Sequence, residues 1–576
     1  MEEEIYNPLK EYDEVYRDKF MEVSDETFHE LAVASGVDVE ANRQLCKEID
    51  ELNAKLENAR NIFVWMIVLC VMLWILVGVG IWALARPVVF GNAAYYLCGA
   101  AAVSLLLLLL VVHPGIRKLK NRKKALGEEV GKKTAQAWDQ MSSLNSLYDW
   151  DIFSRMVTKT LPRMEFDPFF TTKRLADLVK TYGWDGSFND ERSILYSHSG
   201  LINGNPFVIC RTRKMEWGEK TYTGYLTISW TTTERDSDGE YHTVTHTETL
   251  SATVTRPFPE YFDKSWLIYG NNAAPDLTFT RKKNPHKLRP GSMRFNRKRR
   301  KLERRARDLK QDYAMATNEE FEVLFTTTDR SDNQQYFLLF TPLAQESMVD
   351  LLLDEDIGYG DDFDFIKQKK INTIVADHMQ EISLDMNPRQ FHSYSFDNAK
   401  LLFASTNAEN FRALYFCLAP LLCVPLYRQL RPLSEIYGRE MPTESSFWEH
   451  EAIANFWGEE HFQHPDCETH SILKTREQRR EDGHLDVAVE AYGYRSEEYL
   501  TYVSVWGGDG RLHDVPVEYR EYYPVVGQGS LAMHEDMTPE DTDMTPTDRR
   551  DFILGRLGLI GSEGIYRRHI ASRLSH

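Results

Sequence analysis

Residues 61–85 read NIFVWMIVLCVMLWILVGVGIWALA and, after Arg86-Pro87, residues 88–113 read VVFGNAAYYLCGAAAVSLLLLLLVVH. Each run holds about 25 residues without Asp, Glu or Lys, and about 20 apolar residues suffice for a helix to cross a bilayer core. A backbone in hydrocarbon must satisfy its own hydrogen bonds, so two helices are expected. The short link makes them antiparallel, and the sequence therefore predicts a transmembrane helical hairpin. The alternative is a buried hairpin in a soluble protein, which two apolar runs of this length disfavour.

Cations flank the predicted hairpin very unevenly. Before the first run lie Arg43, Lys47, Lys55 and Arg60, and after the second lie Arg117, Lys118, Lys120, Arg122, Lys123 and Lys124. The link offers only Arg86. Because cytoplasmic flanks carry an excess of Lys and Arg, we expect a multi-pass protein of the cell membrane with both termini cytoplasmic.

Length and composition limit what surrounds the hairpin. A chain of 576 residues is too long for one domain, so several folded units are expected. Its net charge of −19 makes general nucleic-acid binding unlikely. The seven cysteines form no CxxC pair, which favours a reducing compartment. The charged first 60 residues predict no cleavable signal peptide.

Periodicity and turn residues predict an α+β chain. Leu45, Ile49, Leu52 and Leu56 recur at the helix-seam spacing typical of coiled coils, so the spans should extend into a helical stalk. The predicted order is: 1–37 acidic N-terminal segment; 38–60 stalk helix; 61–85 and 88–113 transmembrane helices; 114–161 stalk helix; 162–280 β-rich α+β module; 281–310 basic insertion helix; 311–440 second α+β module; 441–530 C-terminal β-containing module; 531–547 acidic linker; 548–576 helical tail.

Antiparallel sheets are predicted within these modules. Threonine-rich runs at 221–233 and 241–256 flank the turn sequence Asp236-Ser237-Asp238-Gly239, which indicates a long hairpin with one solvated face. Short apolar runs at 321–325, 336–340 and 400–404 are interpreted as further strands.

The most polarised stretch is the basic insertion helix. Residues 281–310 hold fifteen Lys or Arg against two acidic residues. Its centre supplies the candidate anionic-surface residues Arg294, Arg297, Lys298, Arg299, Arg300, Lys301, Arg304 and Arg305. Lys and Arg clustered near a membrane are attracted by anionic lipid headgroups, which makes lipid headgroups the candidate partner. The alternatives are nucleic-acid phosphate and an exposed helix neutralised by the acidic remainder.

Several motifs, in this order, resemble a known family. They are FDPFF at 166–170, GLING at 200–204, EFEVLF at 320–325 and YFLLFTP at 336–342. Together with the paired spans, the layout of residues 61–404 resembles an uncharacterised bacterial two-span membrane-protein family known only as a domain of unknown function. The resemblance implies an α+β cytoplasmic module on a membrane hairpin. It implies no catalytic residue, because none is established for the family. The basic segment and the part beyond residue 441 depart from the pattern.

One segment has residue types that bind zinc. His461, His464, Cys467 and His470 follow one another at intervals of three, and imidazole and thiolate are the usual ligands of tetrahedral zinc. The even spacing is unusual for zinc, and Pro465 breaks a helical presentation. An ordinary polar loop is therefore the simpler interpretation, with zinc as the alternative.

These features favour a membrane-anchored interaction or scaffold protein with protein partners still to be found. No GxSxG, Walker A or HExxH motif occurs, so an enzyme is not indicated. A membrane-bound, metal-dependent enzyme stays as one alternative. A component of an oligomeric transporter is another, because two uncharged spans line a polar path only in a homo-oligomer.

Overall fold

The computed structural model describes residues 6–85, 93–235, 240–284, 286, 288–308, 312–429, 444–536, 544–558 and 564–575. The predicted link at Arg86-Pro87, the turn at 236–239 and residues 537–543 of the predicted acidic linker lie outside the described residues. The described chain is α+β, with two long apolar N-terminal helices and antiparallel sheets, as its sequence predicts.

Two long helices hold the apolar runs. The first span helix is continuous over Val39–Ala85. The second comprises Ala93–Leu107, a π-helical turn Leu108–Val112, and His113–Asn145. The predicted stalks are therefore continuations of the span helices. The second stalk ends at Asn145 rather than at 161, because a separate helix occupies Ile152–Thr160.

Small and apolar residues bring the two span helices together. A Cβ on Gly80 would lie 2.3 Å from the Cβ of Ala101, so the backbones approach closely only because position 80 has no side chain. Val77, Leu108 and Val112 are buried at the contact. Further along, the Lys133 ammonium lies 2.5 Å from the Glu48 carboxylate.

The chain divides into two compact units. The first comprises residues 1–23, 149–387 and 407–576, and the second comprises residues 24–148 and 388–406. The second unit contains both span helices. Within it, Asn42 donates to the Tyr394 carbonyl at 3.0 Å and Asn145 donates to the Ser393 carbonyl at 3.1 Å. These buried amides fix the stalk helices to the segment beginning at residue 388.

The first unit contains a seven-stranded antiparallel sheet. Its strands are β1 (Met164–Phe166), β2 (Arg192–Ile202), β3 (Asn205–Arg235), β4 (Tyr241–Gly270), β5 (Thr278–Arg281), β6 (Phe363–Gln368) and β7 (Ile371–Ala376). Their spatial order is β1-β2-β3-β4-β7-β6-β5. Leu267 of β4 pairs with Ile374 of β7, so the two modules predicted at 162–280 and 311–440 share one sheet.

A second, five-stranded antiparallel sheet lies in the same unit. Its strands are β8 (Ile472–Glu481), β9 (His484–Trp506), β10 (Leu512–Glu535), β11 (Ile565–Arg567) and β12 (Ile570–Ser575). Their order is β11-β12-β10-β9-β8. Two predictions for this region are wrong. Residues 531–535 of the predicted linker belong to β10, and the described residues of the predicted helical tail form the helix Pro546–Arg556 followed by β11 and β12.

Two long hairpins, β3–β4 and β9–β10, pack face to face. Leu250, Ala252, Val515 and Val517 are buried between them. A Cβ on Gly224 would lie 1.9 Å from the carbonyl oxygen of Pro516, so glycine is required where the hairpins touch. The outer face of β3–β4 carries the exposed threonines that the sequence alternation predicts, such as the cross-strand pair Thr227 and Thr249.

The three strands predicted at 321–325, 336–340 and 400–404 are helical in the structure. The described chain contains the further α-helices Pro8–Glu11, Arg17–Ser35, Thr172–Ala176, Met293–Arg307, Glu319–Leu324, Asn333–Leu339, Pro342–Leu353, His378–Glu381, Phe396–Leu422 and Phe447–Trp457. The caps before the first two of these runs favour helix over strand, because Asn318 and Asp332 each accept a backbone N–H at the start of their helix. Thr341 caps the next helix in the same way.

Candidate functional site

The basic helix, Met293–Arg307, is placed by two apolar side chains. Ser292 caps its start by accepting the N–H of Phe295. Phe295 and Leu302 are buried, and seven residues are close to two helical turns, so both side chains lie on one side. The opposite side of the helix therefore faces solvent.

Three of the eight predicted cations are engaged within their own unit. Lys298 donates to Asn284 at 2.7 Å, and burial lowers the pKa of Lys298 to about 8. Arg299 lies 3.2 Å from Glu319. Arg305 donates to the Thr328 carbonyl at 2.6 Å. These three side chains hold the helix on the protein.

The other five cations form an exposed face. They are Arg294, Arg297, Arg300, Lys301 and Arg304. Within the described part of the chain, none of the five has a carboxylate within 4.0 Å. The prediction of a charged exposed face is met by these five residues, and we name them the basic face.

Three acidic residues at positions 361–364, which follow the basic helix in sequence, are engaged elsewhere and do not neutralise this face. Asp361 pairs with Arg281, which is buried, and the Asp364 carboxylate lies 2.9 Å from the Lys282 ammonium. Asp362 contacts the ring of His378. These three carboxylates are therefore engaged by the cations at the end of β5 and by the buried His378.

The four candidate zinc ligands each have another contact, and the ring of His461 lies edge-on to that of Trp457, with 6.1 Å between their centroids. The ring of His470 lies 2.5 Å from Glu459, and His464 accepts the N–H of Asp466 at 3.2 Å. Cys467 is held against β9, where a Cβ on Gly493 would lie 2.4 Å from its sulfur. Among the described residues, which include all four with His461, no three His, Cys, Asp or Glu side chains are placed to hold one metal ion.

A buried ionic cluster was not foreseen from the sequence. Glu449, on helix Phe447–Trp457, accepts from the Phe170 N–H at 2.9 Å and from the Ser197 hydroxyl at 3.0 Å. Arg568 donates to the same carboxylate at 3.3 Å, and Arg567 lies 3.6 Å from its second oxygen. The cluster ties the turn between β11 and β12 to the first sheet. Residues so far apart in sequence carry no local signal of this contact.

A small cavity lies beside the cluster. Its volume is about 10 Å³, and Trp150, Phe166, His198 and Arg568 contribute to its wall. Such a volume holds about one water molecule. Burial lowers the pKa of His198 well below its usual value, and its Nε2 has no hydrogen-bond partner among the described residues. The cavity therefore suits a bridging water rather than a substrate.

The two span helices expose apolar side chains along most of their apolar runs. In the most apolar 18-residue stretch of each helix, only 11% and 17% of the residues, respectively, are buried. Trp65 is 73% exposed and Leu110 is 71% exposed. Two helices are thus long and apolar enough to cross a membrane.

Comparison with known proteins adds no family to this description. No protein-family model, no curated protein and no solved structure matches the chain. The assignment of function therefore depends on the surfaces described above.

Proposed function

We propose that the chain is a membrane-anchored interaction protein, in which the two span helices cross a bilayer and tether the α+β region. The observation that carries this proposal is the exposure of apolar side chains along both helices, because soluble proteins rarely expose contiguous apolar patches beyond a few hundred Å². In a bilayer these side chains contact lipid tails instead of water.

Aromatic residues mark the two ends of the apolar surface. Trp65 and Trp82 are both exposed on the first span helix, and at 1.5 Å per residue they lie about 26 Å apart along its axis. Tyr95 and Tyr96, at the start of the second, are more than four-fifths exposed. Tryptophan and tyrosine are enriched at membrane interfaces, and the spacing is close to the thickness of a hydrocarbon core.

The flanking charges support an orientation with both termini cytoplasmic. The exposed cations Lys55 and Arg60 precede the first apolar run, and six more follow the second. The positive-inside rule places this end in the cytoplasm.

Extraction and reporter fusions test the anchor and its orientation. We expect the full chain to stay with membranes in alkaline carbonate and to need detergent for solubilisation. Green fluorescent protein fused behind Lys124 should fluoresce, and alkaline phosphatase at the same place should be inactive. The same reporters fused behind Val88 provide the control and should give the opposite pattern. Solubility without detergent, or phosphatase activity behind Lys124, contradicts the proposal.

The basic face supports a second candidate function, the binding of an anionic surface. Five exposed cations without a carboxylate partner in the described chain favour it. The purified full chain in neutral detergent should bind immobilised heparin. The substitutions R294Q, R297Q, R300Q, K301Q and R304Q should then lower the salt concentration that elutes it. Unchanged elution contradicts a binding role for this face.

A further inference from the structure

A second basic cluster lies next to the membrane-spanning part of the chain. Within eight residues of the helix His113–Asn145, six side chains are cationic, and all six are exposed. We name them the juxtamembrane belt: Arg117, Lys118, Lys120, Arg122, Lys123 and Lys124. In the sequence these residues indicate only the orientation of the hairpin. Their positions in the structure also indicate a ligand.

Contacts between the two span helices fix the level of the belt. A Cβ on Gly115 would lie 2.8 Å from the terminal methyl of Met66. The ammonium of Lys123 lies 5.2 Å from the ring centroid of Phe63. The belt therefore begins beside the turn of the first helix that carries the exposed Trp65 and continues away from the apolar run. An exposed tryptophan at the end of an apolar span marks the depth of the lipid headgroups.

The charges of the belt are available to a ligand. The carboxylate of Glu128 lies 3.9 Å from Lys124, and both side chains are largely exposed. In the described chain, the other five cations have no carboxylate within 4.0 Å. The helix thus presents five cations without a carboxylate partner in the described chain, within about 10 Å along its axis.

We propose that the juxtamembrane belt binds the phosphate-bearing headgroups of anionic phospholipids, in the leaflet on the side of the stalk. The inference rests on the membrane insertion proposed above and names the lipid class that the anchor prefers. Lysine and arginine beside a membrane surface are attracted by anionic lipids. The span helices already hold the belt at that surface, so binding needs no further docking of the protein.

This assignment differs from the prediction made for the basic helix. Lys298, Arg299 and Arg305 of that helix are engaged in their own unit. That unit, which holds residues 149–387, contains neither span helix. The belt lies in the unit that contains both. The lipid preference of the span helices is therefore assigned to the belt, and the basic face keeps the separate role proposed for it above.

Native mass spectrometry of the full chain in neutral detergent tests the proposal. The protein is titrated with phosphatidylglycerol or with phosphatidylcholine of the same acyl chains. We expect the wild-type chain to prefer phosphatidylglycerol by about tenfold or more, since several cations act together. The belt variant R117Q/K118Q/K120Q/R122Q/K123Q/K124Q should prefer it by less than about twofold. Glutamine is a good helix former, so circular dichroism should show the helix retained.

Three controls separate charge, position and source of phosphate. The variant R476Q/R511Q/R573Q, at exposed arginines of the second sheet and its turn, should keep the full preference. The charge-conserving variant K118R/K120R/K123R/K124R should also keep it. Soluble glycerophosphate at the same concentration as the lipid should not compete. The proposal is overturned if the belt variant keeps the preference, if the second-sheet variant loses it, or if glycerophosphate displaces the lipid.

Failure of this inference is distinguishable from failure of the proposed anchor. A belt variant that still needs detergent but shows an unchanged lipid preference refutes the lipid site alone. A wild-type chain that is soluble without detergent refutes the anchor, and the lipid site with it. Because the titration uses detergent-purified protein, an inverted orientation of a variant in cells does not affect the result.

Discussion

Removing the charge of Glu449 should loosen the C-terminal strands from the rest of the first unit. The side chain is 1% exposed and sits between Arg567 and Arg568. Its first oxygen accepts from the Phe170 N–H at 2.9 Å and from the Ser197 hydroxyl at 3.0 Å. Glu449→Gln keeps the size of the side chain and removes its charge, so the two guanidinium groups lose part of their compensation.

The structure sets the expected magnitude. Removing one partner of a buried ion pair costs about 3–5 kcal/mol, because the remaining charge stays buried. Arg567 retains the Asp385 carboxylate at 2.7 Å, which places Glu449→Gln at the lower end, about 3 kcal/mol. Glu449→Ala also leaves the Phe170 N–H without an acceptor, and a buried unsatisfied donor adds about 1–3 kcal/mol.

Urea unfolding of the full chain in detergent, followed by near-ultraviolet circular dichroism, measures these changes in the free energy of unfolding. Asp263→Asn is the matched control. Asp263 lies 2.8 Å from Arg213, and its carboxylate is 41% exposed, so the change should cost less than about 1 kcal/mol. Adding Arg568→Met to Glu449→Gln should recover part of the loss, because the uncompensated charge is removed. A Glu449→Gln variant as stable as Asp263→Asn refutes the argument.

Three further substitutions test packing and pH dependence. Gly224→Ala places a methyl group 1.9 Å from the Pro516 oxygen, and it should lower the free energy of unfolding by about 1–3 kcal/mol in the same urea assay; an unchanged value means that the hairpins do not pack as described. Gly80 faces the second span helix, so Gly80→Leu should lower the midpoint of thermal unfolding in detergent by several degrees. Gly78 faces open space, so Gly78→Leu should leave the midpoint unchanged. Equal midpoints for the two variants contradict the contact between Gly80 and Ala101. Burial lowers the pKa of Lys367 from 10.5 to about 7, so between these pH values the unfolded chain binds more protons than the folded chain. The free energy of unfolding of wild type, relative to Lys367→Met, should therefore rise by about 1.4 kcal/mol per pH unit above pH 7. Parallel pH profiles of the two proteins refute the lowered pKa of Lys367.

The failed strand predictions share one physical cause. Apolar runs of about five residues fit a buried strand and a buried helix equally well, because periodicity distinguishes them only over longer windows. At 321–325 and 336–340 the deciding signal was the capping residue before each run, Asn318 and Asp332. At 400–404 the run is an interior part of helix Phe396–Leu422. Its neighbours in sequence, rather than the run itself, determine its conformation.

The candidate sites differ in how far sequence reasoning could reach them. The charge of residues 294–305 is local, so the basic face could be predicted as a run. The sequence could not predict which of these cations are engaged, because their partners Asn284, Glu319 and Thr328 come from other parts of the chain. The candidate zinc ligands are a related case. Ligand spacing along a chain does not fix side-chain direction, and Cys467 packs on the backbone of β9 at Gly493.

The sequence by itself determined the two apolar helices, their flanking charges and the alternating face of the β3–β4 hairpin. These properties depend on residue type at short separation, through helix length, hydrogen-bond satisfaction and strand alternation. Only the tertiary structure decided that two predicted modules share one sheet through Leu267 and Ile374, and that Glu449 meets Arg568. It also brought Lys123 beside Phe63. Such contacts join residues separated by tens to hundreds of positions, so their energies act only once the chain has folded.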